Sequence, residues 1–117
     1  MTSKPSRDRL RVAAMIQAAE EAKRDAAGGR VSFLEPGLTQ KAVLLDLIHL
    51  TESAEKASAG LKKTNPGIPW ARLSRLRNQG LVHDYAAVDL EDLWSFVREE
   101  LPRIRRHLDR MVYPEGN

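Results

Sequence analysis

Residues 39–61 read TQKAVLLDLIHLTESAEKASAGL, and the spacing of their apolar side chains predicts one long helix. The apolar stripe steps by four, three, four, three and four residues, which matches the 3.6-residue period of an α-helix. Its members are Val43, Leu47, Leu50, Ala54, Ala57 and Leu61. The turn sequence Asn65-Pro66-Gly67 follows and cannot continue a helix.

The same helix carries a second apolar face. Leu44, Leu45 and Ile48 lie roughly opposite the first stripe when positions are rotated by about 100° per residue. A helix with two apolar faces in a small domain needs a second burial partner. We therefore predict a homodimer interface formed by Leu44, Leu45, Ile48 and Glu52, in which Glu52 meets a basic group of the partner. The alternative is that this helix is simply the most buried one of a monomer.

Three further helices are predicted around this one. The first covers about residues 6–27 and ends at Gly28-Gly29, the third covers about 69–85, and the fourth begins at Asp89, a favourable N-cap. No alternating strand pattern competes with this interpretation. The predicted fold is all-α, an antiparallel four-helix up-down bundle that forms a single domain over residues 1–117 and dimerises through helix faces.

Two local features modify this outline. Pro102 lies inside the fourth predicted helix and is expected to kink or interrupt it, because proline has no backbone N–H. Residues 30–37 are expected to form a loop, and Phe33 is expected to pin that loop to the bundle.

The composition excludes several classes of protein. The chain has 117 residues, 42% of them apolar and 30% charged, and no cysteine, so a disulfide scaffold and a cysteine-ligated metal site are impossible. No apolar run reaches the length of a membrane span, and the N-terminus lacks the apolar core of a signal peptide. We therefore expect a cytoplasmic protein without membrane contact.

The basic charge is concentrated in one stretch. Residues 56–83 contain six Lys or Arg and no acid, whereas the remaining residues carry 13 basic and 16 acidic side chains. Such a stretch favours a phosphate-bearing partner. The residues predicted to bind RNA are Lys62, Lys63, Arg72 and Arg75.

The basic stretch ends on a set of residues that could cleave RNA. Arg77, Asn78, His83 and Tyr85 lie within nine residues of one another. Arginine binds phosphate through two parallel hydrogen bonds, and histidine can transfer a proton near neutral pH. Together they could promote attack of a ribose 2′-hydroxyl on the adjacent phosphorus. A solvated basic helix with a capping histidine explains the same residues on chemistry alone.

This segment resembles the HEPN superfamily, and within it the HepT-like toxins. The signature of that family is an arginine, a polar residue and, after a short spacer, a histidine, here Arg77, Asn78 and His83; the HepT branch adds a tyrosine two residues later, here Tyr85. Ile68-Pro69-Trp70, Val88-Asp89 and Glu100-Leu101-Pro102 agree with the flanking pattern, and Leu50–Ala54 is similar to a stretch of the family's second helix. The resemblance covers about residues 7–112.

The resemblance implies a homodimeric, all-α, metal-independent endoribonuclease that acts on tRNA or mRNA. Arg77 and His83 are then catalytic and Asn78 assists them. A nucleotidyltransferase (MNT) antitoxin is implied as a partner that transfers AMP from ATP to Tyr85 and blocks the site by bulk and negative charge. The alternative is a non-catalytic HEPN module that binds a nucleotide or a nucleotidyltransferase, and a purely structural bundle is a third interpretation.

One departure from the family pattern concerns spacing. Many HepT-like chains have four residues between Arg and His, and this one has five, Asn-Gln-Gly-Leu-Val. On a regular helix the additional residue would rotate His83 by about 100° away from Arg77. We predict that Gly80 lies at a π-bulge or local break that absorbs the insertion.

Two other groups of polar residues are interpreted as ordinary surface features rather than functional sites. Asp46, His49 and Glu52 spread around one helix, so side-chain pairing is favoured over a metal site, and neither a metal nor a cofactor is expected. A second basic group is interleaved with acids and is interpreted as a solvated helix face rather than a second RNA site. Its members are Arg98, Arg103, Arg105, Arg106 and Arg110.

Overall fold

A computed structural model describes residues 7–78 and 88–114, whose regular secondary structure is entirely helical. The predicted all-α class is therefore confirmed. The elements are α1 (Arg7–Asp25) with a 3-10 turn (Ala26–Gly28), α2 (Arg30–Leu34), α3 (Leu38–Lys56), α4 (Ala59–Thr64), α5 (Trp70–Leu76), and α6 (Leu90–Ser95), which continues through a π-helical turn (Phe96–Glu100) into α7 (Leu101–Leu108). No helix within these residues combines the length and apolar character needed to cross a membrane.

The core forms where α1 packs against α3, and α3 also contacts α2 and α5. The face that α1 buries is rich in alanine, with Ala18, Ala19 and Ala22 at 3% exposure or less. Small side chains let two helix axes approach closely. The predicted apolar stripe of α3 faces this core, because Val43, Leu47 and Leu50 are fully buried.

The predicted continuous helix over 39–61 is wrong at one point. Ala57 adopts extended backbone angles, so α3 ends at Lys56 and α4 begins at Ala59. The Ser58 hydroxyl caps α4 by accepting a hydrogen bond from the Leu61 N–H at 3.0 Å. The Asp8 carboxylate accepts hydrogen bonds from the Ser58 N–H at 3.0 Å and from its hydroxyl at 2.6 Å. A residue of α1 thus stabilises the break, although Leu61 remains fully buried as its stripe position predicts.

Residues 30–34 form the short helix α2 instead of the predicted loop. The pinning role of Phe33 is confirmed, because its ring is fully buried and stacks on Trp94 with 5.7 Å between ring centroids. The Gln40 side-chain amide donates to the carbonyls of Phe33 and Leu34 at 3.1 and 3.3 Å. These bonds satisfy carbonyl groups that the end of a short helix leaves free.

The C-terminal helix begins and bends as predicted. Asp89 caps it by accepting a hydrogen bond from the Asp92 N–H at 3.1 Å. The π-helical turn Phe96–Glu100 interrupts the α-helix just before Pro102, which has no N–H to donate to the preceding turn.

The α4–α5 turn holds the C-terminal segment. The Asn65 side chain donates to the Val112 carbonyl at 2.6 Å and accepts from the Val112 N–H at 2.9 Å. The Trp70 indole N–H donates to the Asn65 carbonyl at 2.9 Å. A Cβ on Gly67 would overlap the imidazole of His107. The end of α7 is therefore fixed on the start of α5.

Candidate functional site

Arg77 lies where α5 stops being a regular α-helix. Leu73 and Leu76 bury the inner face of α5, and residues 77–78 continue it in π-helical geometry. The Arg77 N–H is shared between the carbonyls of Leu73 and Ser74. The helix thus widens three residues before Gly80, where the sequence analysis places a bulge or break; Gly80 itself lies outside the described residues.

The Arg77 side chain is half-buried, and its Nε is fully buried without a hydrogen-bond partner among the described residues. A buried N–H without an acceptor costs about 1–3 kcal/mol, more when the group is charged. A bound anion would remove that cost. The position is therefore suited to phosphate.

Arg72 lies five residues earlier, and its guanidinium, unlike the Nε of Arg77, is engaged in hydrogen bonds at each nitrogen. Its guanidinium donates two hydrogen bonds to Asp92, at 3.0 and 3.1 Å, and two to Glu100, at 3.1 and 3.3 Å. The hydrogen bonds to Asp92 and then to Glu100 raise the pKa of Arg72 above its ordinary value. This arginine ties α5 to the C-terminal helix, and its charge is already neutralised. The structure thus gives it an intrachain role that the RNA-binding prediction did not include.

The remaining predicted site residues near Arg77 are either exposed or lie outside the part of the chain that the structure describes. Arg75 and Asn78 are exposed, and the Asn78 amide donates to the Ser74 hydroxyl at 3.4 Å. His83 and Tyr85 belong to residues 79–87, which lie outside the described part of the chain. Their positions relative to Arg77 stay predictions.

Lys62 and Lys63 lie at the other end of α5, in the last turn of α4. The Lys62 ammonium donates to the Glu55 carbonyl at 3.4 Å, and Lys63 is exposed. The predicted RNA-binding residues therefore occupy both ends of α5, with the neutralised Arg72 between them.

The predicted interface residues of α3 differ in exposure. Leu44 is 4% exposed and belongs to the core of the single chain, whereas Leu45 is 50% exposed. Ile48 and Glu52 are half-buried. Leu38 is 87% exposed and shares the face of Leu45, because seven residues make almost two helical turns. The sequence analysis missed Leu38, although its spacing from Leu45 was visible.

A shallow groove of about 270 Å³ runs between α1 and α3 beside this face. Six of its eight lining residues have polar or charged side chains, and the other two are alanines. The lining residues are Ala14, Gln17, Ala18, Glu21, His49, Glu52, Ser53 and Lys56. Among residues 7–78 and 88–114, no three His, Asp or Glu side chains come together as metal ligands.

Asp46 is a buried acid, whereas the sequence pattern favours side-chain pairing of Asp46 with His49 and Glu52 over a metal site. It is 5% exposed, and its Oδ2 has no partner among the described residues. Burial, followed by a hydrogen bond with Asp25, raises the pKa of Asp46 to about 7, whereas Arg24 acts in the opposite direction. An acid flanked by leucines on the core-facing helix was the available sequence signal.

Comparison with known proteins adds to this geometry. Residues 15–111 match the family described as Ribonuclease HepT-like. A protein of Thermococcus cleftensis named as a probable ribonuclease HepT is 32% identical over 79 residues, which cover 68% of this chain and 71% of that protein. Two Methanocaldococcus jannaschii proteins named as candidate RNases are 28% and 27% identical, over 68% and 66% of this chain and 65% and 70% of their own lengths. No solved structure matches the chain significantly.

Proposed function

Because the chain belongs to the HepT-like ribonuclease family, we propose that it is a metal-independent endoribonuclease whose reaction centres on Arg77 and His83. The matched region includes the whole Arg77–Tyr85 segment. The structural observation that supports this proposal most directly concerns Arg77, a partly buried cation whose Nε has no partner among the described residues.

In the proposed reaction the RNA supplies its own nucleophile. His83 accepts the proton of a ribose 2′-hydroxyl, and the 2′-oxygen forms a bond to the adjacent phosphorus. The bond from phosphorus to the 5′-oxygen breaks, and that oxygen takes a proton from water, while His83 later releases the proton of the 2′-hydroxyl to solvent. Arg77 stabilises the additional negative charge on the phosphoryl oxygens, with Asn78 as a polar helper. The products are a 2′,3′-cyclic phosphate and a free 5′-hydroxyl.

Assembly and regulation belong to the same proposal. We infer that the helices form an antiparallel four-helix up-down bundle and that two copies pair through α3, which exposes Leu38 and Leu45 at 87% and 50%. Such a surface is unfavourable in water and supports pairing. Tyr85 is proposed as the residue that a nucleotidyltransferase antitoxin modifies: its hydroxyl attacks the α-phosphorus of ATP, and pyrophosphate leaves. The added phosphate would repel an RNA strand from Arg77.

The test is RNA cleavage by the purified chain in the presence of excess chelator. We expect wild type to cut tRNA or mRNA and to leave cyclic phosphate ends, and we expect Arg77→Ala and His83→Ala to lose at least about 100-fold in rate. Lys23→Ala removes the same charge from an exposed position of α1 and serves as the control. If wild type and both variants are equally inert, the chain is instead a HEPN binding module.

Regulation by the antitoxin has its own readout. Incubation with a cognate nucleotidyltransferase and ATP should add one AMP mass to wild type and none to Tyr85→Phe. The Tyr85→Phe protein should keep cleaving RNA after that incubation. Modification at another residue would contradict the assignment of Tyr85.

A further inference from the structure

The outer face of α7 carries a run of basic side chains. Arg103, Arg106 and His107 lie on α7 within an arc of about 100°. Arg110 follows two residues after the end of α7, where its N–H donates to the His107 carbonyl at 3.0 Å. All four are exposed. The opposite side of α7 buries Leu101, Ile104 and Leu108 in the core, so packing fixes the direction of the basic face.

The acids that alternate with these arginines in sequence are engaged elsewhere. Glu100 binds Arg72 at 3.1 Å. Arg105 points away from the basic face and binds both Asp109 and Glu20, the latter at 2.6 Å. Hydrogen bonds with Glu20 and then Asp109 raise the pKa of Arg105. The acids therefore compensate Arg105 and leave its neighbours on the solvated face without ion pairs among residues 7–78 and 88–114.

Three arginines consequently keep uncompensated charge. Arg103, Arg106 and Arg110 form no ion pair with any residue in 7–78 or 88–114. The exposed Glu99 lies one turn before Arg103, in the π-helical turn, and offsets only one of the three charges. The surface is positive and offers donors without acceptors, which suits phosphate groups.

This face adjoins the basic end of α4. His107 lies against Gly67, and Asn65 holds the backbone of Val112. Lys62 and Lys63 immediately precede that turn. The two basic groups, 40 or more residues apart in sequence, therefore both lie near the start of α5, whereas Arg77 lies at its other end.

We propose that this face of α7 is a second RNA surface, which binds the phosphate backbone of the substrate away from the point of cleavage. The proposal rests on the proposed ribonuclease function for the identity of its ligand. The helical part of the surface, from Arg103 to His107, spans about 6 Å, or about two phosphates of a strand at ~3.4 Å along the axis, and Arg110 extends the positive surface beyond the helix. Arginine side chains dominate the face, and contacts to the phosphate backbone carry no sequence information, so we expect binding that does not depend on sequence.

The geometry also indicates the size of the substrate. Arg77 is about 10 Å of helix rise beyond Trp70, and Trp70 lies beside the turn that supports His107. An RNA that contacts both places must extend over several nucleotides. A dinucleotide can reach Arg77 and cannot reach α7 as well.

The experiment compares a dinucleotide with a tRNA-sized structured RNA. The variant is Arg103→Gln with Arg110→Gln, because glutamine preserves helix propensity. The control is Lys23→Gln with Arg7→Gln, which removes the same charge from exposed positions of α1, away from the proposed interface on α3. We measure kcat/KM on both RNAs and, in an Arg77→Ala background, the Kd of the long RNA at several salt concentrations.

We expect the α7 variant to lose about tenfold in affinity and kcat/KM on the long RNA, and the salt slope of log K to fall by between about 1 and 2. Cleavage of the dinucleotide should stay within twofold of wild type, and the control should stay within twofold on both RNAs. Equal losses on both RNAs, or equal losses in the control, would overturn the proposal.

An unchanged Kd for the long RNA would also overturn it, and would leave an acidic protein surface as the partner of α7. The proposed function can fail separately. If wild type cleaves neither RNA, the proposed ribonuclease activity is refuted, whereas the dependence of long-RNA binding on Arg103 and Arg110 still tests the second RNA surface.

Discussion

The two ends of α5 solve the same electrostatic problem in opposite ways. At the start of the helix, Arg72 meets two carboxylates, and the neighbouring Asn65 and Trp70 also find partners. At its end, Arg77 keeps a buried Nε without a partner in the described residues. Satisfied groups stabilise a fold, whereas an unsatisfied cation is retained at a cost. The comparison separates an arginine that holds the structure from one that is available to a ligand.

The largest expected effect comes from removing the available arginine. Arg77→Met keeps an unbranched apolar side chain and deletes the guanidinium, so we expect RNA cleavage to fall by about 100- to 1,000-fold. The free energy of unfolding should not fall and should rise by up to about 1 to 3 kcal/mol, because the substitution removes a buried Nε that has no partner among the described residues. Parallel measurement of kcat/KM and denaturant unfolding checks both statements. A comparable loss of stability would remove the contrast with Arg72.

Asp46 tests whether a buried group without enough partners always costs stability. Its pKa of about 7 means that the folded chain holds a proton that the unfolded chain releases near pH 4. The contribution of this group to the free energy of unfolding is therefore largest below about pH 4, decreases as the pH rises to about 7, and stays at its lowest value above that. Asp46→Asn should remove this slope and raise the free energy of unfolding at pH 8 by about 2 to 4 kcal/mol.

The matched control for this pH profile is Glu55→Gln, an exposed acid on the same helix. It should leave the profile parallel to that of wild type. If Asp46→Asn also unfolds with the wild-type pH dependence between 4 and 7, the raised pKa of Asp46 is refuted.

The structural arginine gives the next effect. Arg72→Met should lower the free energy of unfolding by about 1 to 2 kcal/mol, because it leaves the half-exposed carboxylates of Asp92 and Glu100 without their cation. Denaturant unfolding at low and high salt measures this loss, which should shrink as salt increases. Since Arg77→Met carries the identical substitution five residues away, the pair forms its own control. The rate of RNA cleavage per folded molecule should fall far less in Arg72→Met than in Arg77→Met. Equal losses would contradict the distinction between a structural Arg72 and a catalytic Arg77.

The smallest effect is expected at the turn before α5. A methyl group on Gly67 would displace the His107 imidazole, and an exposed ring can move at small cost. Gly67→Ala should therefore cost less than about 1 kcal/mol of unfolding free energy. In His107→Ala, the same substitution should become neutral, which a double-mutant cycle measures. An undiminished cost in that background would show that the backbone, and not the ring, resists the change.

The sequence contained enough information for the helical class and for local features that depend on near neighbours. Asp89 caps its helix through a hydrogen bond to a residue only three positions away. The anchoring role of Phe33 could be predicted because it is an aromatic residue in a polar stretch. The break after α3 could not be predicted in this way, because Asp8 stabilises it from 50 positions away.

The candidate site follows the same rule. Arg77 could be found because its signature is local. The neutralisation of Arg72 could not, since Asp92 and Glu100 lie 20 and 28 residues away and are brought together by the register of the C-terminal helix. The same long-range pairing engages Glu100, the acid that immediately precedes α7.

The contacts around α4 have a consequence for chain connectivity. Asp8 binds Ser58, Asn65 binds Val112, and the Arg9 guanidinium lies 3.9 Å from the centre of the Tyr113 ring. The two ends of the helical domain are thus neighbours in space. A short peptide could join them while new termini are opened elsewhere, and such a circular permutant would retain every helix. The order in which the helices follow one another in sequence is then separable from the packing that they create.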